Sequence, residues 1–433
     1  MRIPQKPPKL NDLWKGDVSK ITSLLHNKDI IEFIADVNKR YLHWDELRYK
    51  KIPQGVKPEY VWALIKMFRS ESYKKLSFAN YKFNYSLLDD TLKSLHALDK
   101  GSAGYLESES EFMNIEGKDR YIISSLMEEA IASSQLEGAV TTHKVAKEIL
   151  KSNKKARDYS ERMIINDYKT MQKIIKIKNE NLTPEIILEI HKEITEDTLK
   201  DKSHEGSFRE DNEVVVGDNL DIEKIYHIPP DYQEVNKLMV EFCKFANEDN
   251  GQFIHPIIKG IILHYLIGYI HPFNDGNGRT ARTIFYWYVI KKGYWLFEFM
   301  SISRILLRSK TKYGLAYLYT ESDDDLTYFI KYNIAAVEEA FNEMKDYINR
   351  KQKEQSEAMK FIKEVKEINL RQAEIIKELM KNPKDIITIA DVKNTYGVAY
   401  DTARNDLLHL VELDYLEKTQ IKKKFVFRLK KKK

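Results

Sequence analysis

Two long apolar segments joined by one short polar loop constrain this chain more than any other feature of its sequence. The first segment, Ile257 to Ile270, is almost wholly apolar, and the second, Thr280 to Lys292, is rich in aromatic and aliphatic side chains. Both patterns predict buried helices, and the first is shorter than the roughly 20 residues that cross a bilayer. The polar stretch HPFNDGNGRTAR, which begins at His271, should therefore be held rigidly at the edge of a core.

The glycines and arginines of this stretch predict a phosphate-binding site. Gly276 and Gly278 let the backbone approach a ligand closely, and a helix that begins near Gly278 offers free N–H groups and the positive end of its dipole. Such a helix end is a common binding site for anions. Arg279 and Arg282 lie three residues apart, on one face of this helix, where both can bind phosphate oxygens.

Two further side chains of the loop add a metal ligand and a base. Asp275 is a hard oxygen ligand suited to Mg²⁺, and His271 ionises near neutral pH, as a general base requires. A Gly/Asn-rich turn or a histidine before proline is often only structural. All of these residue types within twelve positions favour a catalytic site.

The stretch resembles the HPFx(D/E)GNGRxxR signature of the Fic family. Every specified position is matched: His271, Pro272, Phe273, Asp275, Gly276, Asn277, Gly278, Arg279 and Arg282. The resemblance covers roughly 122–318. It implies an all-α core with one β-hairpin flap and the transfer of AMP from Mg·ATP to a Ser, Thr or Tyr hydroxyl of a protein, which the residues alone do not specify.

The resemblance also implies a role for each loop residue. His271 would deprotonate the target hydroxyl, Asp275 would hold Mg²⁺, and Phe273 would anchor the loop in the core. The remaining roles concern the phosphates: the Gly276 and Gly278 amides would form the anion hole, Asn277 would contact the α-phosphate, Arg279 the β-phosphate and Arg282 the γ-phosphate.

A second motif resembles the (S/T)xxxE(G/N) inhibitory motif of the same family. Ser133, Glu137 and Gly138 match it at the end of a helix predicted over 118–138, before the catalytic loop in the chain. By this resemblance, Glu137 would pair with Arg282 and so compete with the γ-phosphate. A plain helix end is the alternative, but a carboxylate is unfavourable there. Whether the same glutamate also assists removal of AMP stays open.

Segment 207–230 predicts a β-hairpin with a strand over Glu213 to Val216 and a turn at Gly217, Asp218 and Asn219. By the resemblance, this hairpin would be the family's flap. Val214, Val215 and Val216 would pair with an extended target segment by strand addition, and Phe208 and Arg209 would brace the flap. An ordinary surface hairpin is the alternative.

The sequence divides into four predicted segments: a helical region over 1–117, a catalytic core over 118–325, a helical connector over 326–368 and a winged helix-turn-helix over 369–433. The last segment would place Tyr400, Thr402, Arg404 and Asn405 near the start of a recognition helix, where they could contact DNA, and such modules also bind proteins. The acidic residues Asp401, Asp406, Glu412 and Asp414 count against DNA. The wing is basic, with Lys422 to Lys424 and Arg428. A DNA-binding regulator is therefore the alternative function.

Composition and smaller motifs exclude several other classes. Cys243 is the one cysteine of the chain and lies in an apolar stretch, which indicates core packing, a reducing cytoplasm and no disulfide. His255 and His264 lack the HExxH or Cys cluster of a zinc site, and no P-loop is present. We expect no membrane segment. Transfer of UMP, phosphate or phosphocholine, self-modification, a homo-oligomer and the identity of the target protein all stay open.

Overall fold

The computed structural model describes residues 2–53, 55–101, 115–152, 155–218, 221–248, 251–365, 367–382, 385–421 and 424–430. The described part is mainly helical, with three two-stranded antiparallel sheets. It forms two compact units, each assembled from separate stretches of chain. Unit 1 comprises Met1–Leu98, Ile177–Lys292 and Leu306–Val337, and unit 2 comprises Asp99–Lys176, Gly293–Ile305 and Glu338–Lys433. The division into four segments stays a prediction.

Unit 1 contains the predicted catalytic loop and the flap. Its elements, in chain order, are α1 (Leu10–Ser23), α2 (Lys28–Arg40), α3 (Trp44–Leu47), α4 (Pro58–Ser70), β1 (Lys74–Phe78), β2 (Tyr81–Tyr85), α5 (Asp89–Lys100, which ends in unit 2), α9 (Pro184–Thr195), β3 (Val216–Asp218), β4 (Asp221–His227), α10 (Tyr232–Asn247), α11 (Pro256–Ile270), α12 (Asn277–Lys291), α14 (Lys310–Asp323) and the start of α15 (Thr327–Val365).

The core of unit 1 is built around α11 and α12, the two apolar helices that the sequence predicts. Both are buried along nearly their whole length, including Tyr265, Tyr286 and Trp287. Full burial of aromatic side chains of this size contributes about 2–3 kcal/mol each, so the loop between these helices has a rigid base. None of the helices in the described part of the chain has the length and apolarity that a membrane crossing requires.

The N-terminal region, predicted to be helical over 1–117, also contains two strands. β1 and β2 form an antiparallel hairpin in which Phe78 pairs with Tyr81, and Ala79 adopts a left-handed φ of 48° in the turn. The buried side chains Leu76, Phe78 and Phe83 lie on one face, as the strand alternation requires. This period-two pattern is the signal that reveals the hairpin.

A buried charged network lies between the N-terminal helices and the start of α15. Lys66 Nζ donates to Asp323 over 2.9 Å, and Arg69 Nη1 donates to the Tyr328 hydroxyl over 2.8 Å. Asp325 accepts from the hydroxyl of Tyr41 over 2.7 Å. Because each buried charge has a partner, the network fixes the N-terminal helices to this part of the unit.

Unit 2 contains the predicted inhibitory helix and the C-terminal segment. Its elements are α6 (Ile115–Leu136), α7 (His143–Ser152), α8 (Tyr159–Lys176), the start of α13 (Ile302–Arg308), most of α15, α16 (Leu370–Lys381), α17 (Ile389–Tyr396), α18 (Tyr400–Glu412), β5 (Leu416–Ile421) and β6 (Lys424–Leu429).

The C-terminal segment has the order of elements that the sequence predicts, three helices followed by a hairpin. Leu407, Leu410 and Phe427 are fully buried in its own apolar core. The turn at Gly397 is left-handed, with φ of 67°, as expected between two helices of this motif. Within unit 2, α17 packs against α6 and α7.

Candidate functional site

His271 stands at the end of α11 with a fixed ring orientation. Its backbone is left-handed, with φ of 50° and ψ of 57°, so the chain turns sharply out of the helix. Ring atom Nδ1 lies 3.3 Å from the carbonyl oxygen of Gly268. Since a carbonyl only accepts, Nδ1 is the donor in this contact. In the neutral ring the lone pair then lies on Nε2, which is the tautomer that a general base acting through Nε2 requires.

Asn277 closes the loop that begins at His271. Its amide oxygen accepts from the backbone N–H of Phe273 over 3.0 Å, and its amide nitrogen donates to the Phe273 carbonyl over 2.7 Å. Both residues are buried. The side chain that the resemblance assigns to the α-phosphate thus has a role within the loop, while the predicted anchor, Phe273, lies fully in the core.

Gly276 precedes the first residue of α12 and needs to be glycine. Its φ is 81°, and a Cβ atom there would lie 2.9 Å from Thr195 Cγ2, too close for any other residue. Its backbone N–H donates to the Asp275 carboxylate over 2.6 Å. Asp275 itself is exposed. The exposed carboxylate of Asp275 therefore lies only two residues before the first residue of α12.

Arg279 has the strongest signature of an anion-binding group in unit 1. The side chain is only 1% exposed, and Nη1 donates to the Ile194 carbonyl over 2.9 Å. In the described part of the chain, its Nε and Nη2 atoms are buried without a hydrogen-bond partner. Leaving such donors unsatisfied costs about 1–3 kcal/mol or more, so a ligand is the expected partner. Arg282, one turn further on, is also buried.

His191 on α9 is a site residue that the sequence analysis missed. Its ring is fully buried and stacks on Phe273, with centroids 3.7 Å apart and planes within 2°. Burial, opposed by the hydrogen bond to the Asp275 carbonyl and assisted by the nearby Arg279 guanidinium, lowers the pKa of His191 to about 4. A lone histidine on the apolar face of a predicted helix gives no signal of such a role.

Arg209 joins the loop to the base of the flap. It is 3% exposed, and Nε donates to the His271 carbonyl over 3.0 Å while Nη1 donates to the Asp211 carbonyl over 2.8 Å. Nη2 donates to the carbonyl of Pro230, and the Arg209 N–H donates to Pro272 O over 2.9 Å. The predicted bracing role of Arg209 therefore agrees with its contacts.

The flap is a hairpin, but its first strand is shorter than the sequence indicates. β3 begins at Val216, so Val214 and Val215 precede the strand, and Gly217 belongs to β3 rather than to the turn. Register shifts on both sides of Gly217 interrupt the regular pairing of β3 with β4. The predicted turn residue Asn219 lies outside the described residues.

The flap exposes apolar side chains at its edge and is anchored at its end. Val215 is 43% exposed and Ile225 is 40% exposed. At the end of β4, His227 Nε2 donates to the carbonyl of Tyr269 over 2.8 Å. The hairpin is thus attached to α11 two residues before His271.

The predicted inhibitory motif, in unit 2, ends α6 with a tight cap. Gly138 has φ of 96°, and the Ala139 N–H donates back to the Ser134 carbonyl over 3.0 Å. The Ser134 hydroxyl donates to Asp167 over 2.8 Å, and Ser133 is buried. Glu137, between these anchored residues, is exposed.

The other candidate residues have structural roles. His264 is buried and lies 2.7 Å from the Tyr313 hydroxyl, and burial lowers its pKa to about 3. His255 caps α11 by accepting from the Ile257 N–H. Cys243 is buried, and burial raises the pKa of its thiol to about 12, so the predicted packing role is confirmed.

The residues present fit Mg·ATP. Mg²⁺ in nucleotide sites is held by one or two carboxylates together with substrate phosphates, and exposed Asp275 supplies one. In the described residues, no group of three or more His, Cys, Asp or Glu side chains could bind a metal without a substrate. Nε and Nη2 of Arg279, which have no hydrogen-bond partner among the described residues, fit an anion.

Comparisons with known proteins agree with this geometry. The model of the Fic/DOC family matches residues 181–289. "Protein adenylyltransferase Fic" of Culex quinquefasciatus is 28% identical over 206 residues, which cover 47% of this chain and 37% of that protein. The Drosophila melanogaster protein of the same name is 33% identical over 114 residues, covering 26% of this chain and 21% of that protein.

The fold is shared with a solved structure. A Fic family protein from Desulfovibrio desulfuricans G20 superposes with a TM-score of 0.51 at 17% identity, covering 79% of this chain and 95% of that one. The curated relatives are matched over about two fifths of their length or less. Residues 181–289 are therefore identified as a Fic/DOC domain, in a chain whose fold is shared with a solved Fic family protein.

Proposed function

We propose that this protein transfers AMP from Mg·ATP to a Ser, Thr or Tyr hydroxyl of a protein. The observation that carries the proposal is Arg279, whose Nε and Nη2 are buried without a partner in the described part of the chain. Arg279 belongs to the first turn of α12, where the free backbone N–H groups also favour an anion. The names of the curated relatives support the same chemistry.

His271 is the proposed base. Its Nε2 lone pair takes the proton of the target hydroxyl as the hydroxyl oxygen bonds to the α-phosphorus, and the bond from that phosphorus to the pyrophosphate oxygen breaks in line. The hydrogen bond from Nδ1 to Gly268 stabilises the imidazolium that forms. A positioned base of this kind contributes roughly 10²–10⁴ in rate.

The phosphates would be held by the start of α12. Arg279 is assigned to the β-phosphate and Arg282 to the γ-phosphate, and the Gly276 and Gly278 amides to the α-phosphate oxygens. When bound, Mg²⁺ on Asp275 neutralises charge on the phosphates. We assign Asn277 to holding the loop, because both ends of its amide already bond to Phe273.

The flap is proposed to align the target. Val214, Val215 and Val216 lead into or lie in the short strand β3, and Ile225 adds exposed apolar surface on β4. An extended target segment can add to such a strand edge through backbone hydrogen bonds. Because Arg209 ties the flap base to His271, a target held by the flap would be presented to the base.

We propose that Glu137 restrains the reaction by competing with the γ-phosphate for Arg282. The support is the motif at Ser133, Glu137 and Gly138 and the local geometry, in which a tight cap holds an exposed carboxylate at a helix end. A carboxylate competes well for a guanidinium, since it forms the same charge-assisted bonds as a phosphate oxygen.

Mass spectrometry of protein carrying Glu137→Gly tests the proposal and identifies the transferred group. The protein is incubated with Mg²⁺ and, separately, ATP, UTP or CDP-choline. We expect the mass of one or more adenylyl groups on Ser, Thr or Tyr with ATP only. An adduct from another donor, or no adduct together with no binding of Mg·ATP in calorimetry, would overturn it.

DNA binding is a second candidate function, favoured by the surface of the C-terminal segment. Tyr400, Arg404 and Asn405 are exposed at the start of α18, where a recognition helix contacts base edges. Asp406, which the sequence places among them, is buried and paired with Arg371, so it does not oppose DNA there.

Electrophoretic mobility tests this candidate. The full chain is mixed with double-stranded DNA at two salt concentrations, because phosphate contacts weaken steeply with salt. Retardation that falls with salt and with Arg404→Ala would support DNA binding. Equal mobility of free and mixed DNA at low salt would exclude it. The wing residues Lys422 and Lys423 lie outside the described residues.

A further inference from the structure

We infer that His191 is a positioning residue that orients the Asp275–Gly276 peptide and thereby the anion hole. The inference rests on the proposed function, because it assigns a task within that reaction. His191 lies on α9, far from the signature in sequence, and is fully buried beside the loop.

Both ring nitrogens of His191 are bonded to backbone groups. The Gly206 N–H donates to Nδ1 over 3.0 Å, so Nδ1 has no proton. Nε2 lies 2.9 Å from the Asp275 carbonyl oxygen, which only accepts, so Nε2 carries the proton and donates. The two partners fix a single neutral tautomer. A ring held in this way has one orientation.

The bond to Asp275 determines where the next N–H points. In a trans peptide the C=O and the following N–H point in opposite directions in one plane. By drawing the Asp275 carbonyl toward α9, His191 turns the Gly276 N–H away from α9. That N–H is the one we assign to the anion hole, and it now donates to the Asp275 carboxylate.

Packing keeps this peptide from relaxing. The His191 imidazole stacks on the Phe273 ring. The Phe208 ring also packs on Phe273, with the two ring centroids 5.5 Å apart. A Cβ atom on Gly276 would lie 3.2 Å from His191 Nε2 and 2.9 Å from Thr195 Cγ2. Because α9 approaches the loop this closely, His191 Nε2 lies within hydrogen-bond distance of the Asp275–Gly276 peptide.

Three substitutions separate the hydrogen bonds from the packing. In His191→Gln the amide nitrogen can take the place of Nε2 and donate to Asp275. In His191→Asn the amide takes the place of Nδ1 and keeps only the Gly206 side. His191→Phe keeps the stacked ring and neither hydrogen bond. Each is made in the Glu137→Gly protein, and kcat, KM for ATP and Tm are measured.

We expect kcat for AMP transfer to fall about 10²-fold in His191→Asn and His191→Phe, the scale of one lost anion-hole donor, with little change in KM. The kcat of His191→Gln should lie within about tenfold of the kcat of the Glu137→Gly parent. Its Tm should be similar to that of His191→Asn. If the Gln and Asn variants lose activity equally, or if all losses follow Tm, the positioning role is wrong.

A second readout needs no activity. Protein labelled with ¹⁵N at histidine and glycine should show an Nε2-protonated tautomer for His191 at neutral pH. The Gly276 amide resonance should shift from its position in the parent protein in His191→Asn and His191→Phe. In His191→Gln it should stay close to the parent position. A protonated Nδ1 or an unmoved Gly276 resonance would overturn the inference. Absence of AMP transfer in the Glu137→Gly parent would instead contradict the proposed function.

Discussion

Arg209 Nε donates a hydrogen bond to the carbonyl oxygen of His271 over 3.0 Å. This bond joins the start of the flap directly to the residue that we assign as the general base. The same guanidinium reaches the carbonyls of Asp211 and Pro230, on both sides of the hairpin. One buried side chain therefore links the hairpin that we propose to bind the target with the imidazole that we propose as the general base.

Substitution of Arg209 should uncouple these parts. In Arg209→Ala we expect AMP transfer to fall about 10²-fold, since small misplacements of reacting groups cost that much. The free energy of unfolding should fall by about 1–3 kcal/mol, because buried carbonyls lose their donor. Arg209→Lys keeps the positive charge but lacks the planar guanidinium that donates to several carbonyls at once, so it should recover little activity. Steady-state rates and urea unfolding check this, and full activity in Arg209→Lys would contradict it.

Arg279 should control nucleotide affinity. Its two partnerless nitrogens lose their proposed phosphate contacts in Arg279→Lys, which has one donor group instead of a planar fork. We expect the Kd for Mg·ATP to rise about tenfold or more, as for the loss of one charge-assisted hydrogen bond. Calorimetry measures this directly. An unchanged Kd would show that the phosphates lie elsewhere.

Glu137 should limit the basal rate. Glu137→Gly and Glu137→Gln both remove the carboxylate, so both should raise transfer from labelled ATP and self-modification. Glu137→Asp keeps the charge on a shorter side chain and serves as the matched control, with a rate nearer that of the wild type. A rise in the Asp variant equal to that in Gln would argue for a change in helix capping rather than competition for Arg282.

Acid should destabilise unit 1 through His43. This ring is buried and stacked on Tyr319 at 4.1 Å, and burial, followed by the charges of Arg69 and Lys66, lowers its pKa to about 3. In the unfolded chain the pKa is about 6.5, so the unfolded state binds more protons below that pH. The stability contributed by the neutral ring is present above about pH 6.5 and is lost as the pH falls toward 3.

Urea unfolding at pH 7 and pH 5 measures this effect. Between these values His43 should account for a loss of about 2 kcal/mol, which His43→Gln should not show. His96 is exposed on α5 and provides the matched control, because His96→Gln should keep the pH dependence of the wild type. Equal pH dependence in all three proteins would contradict the buried neutral state of His43.

Local sequence determines much of this structure. The apolar runs of α11 and α12, the cap Thr183 with Pro184 at the start of α9, and the glycine that ends α6 all have structures that follow from nearby residues. Part of the loop signature is of the same kind, because Asn277 bonds to Phe273, four residues earlier in the chain. Such features can be predicted from one chain.

Other features depend on partners distant in sequence. His191 contacts Asp275, 84 residues away, and nothing near it in the sequence distinguishes it from a core histidine. β3 includes Gly217, which the local sequence assigns to a turn, because Gly217 pairs with Ile225 on β4. The β1–β2 hairpin had a period-two signal, which the surrounding helical pattern obscured. Tertiary packing, rather than local preference, decides these positions.

The most direct test of the central claim is the single-turnover rate of AMP transfer in Glu137→Gly compared with Glu137→Gly/His271→Ala. With labelled ATP, the double variant should lose at least about 10²-fold in rate, since it lacks the proton acceptor, while calorimetry gives the same Kd for Mg·ATP. Equal transfer rates in the two proteins would contradict the assignment of His271 as the base.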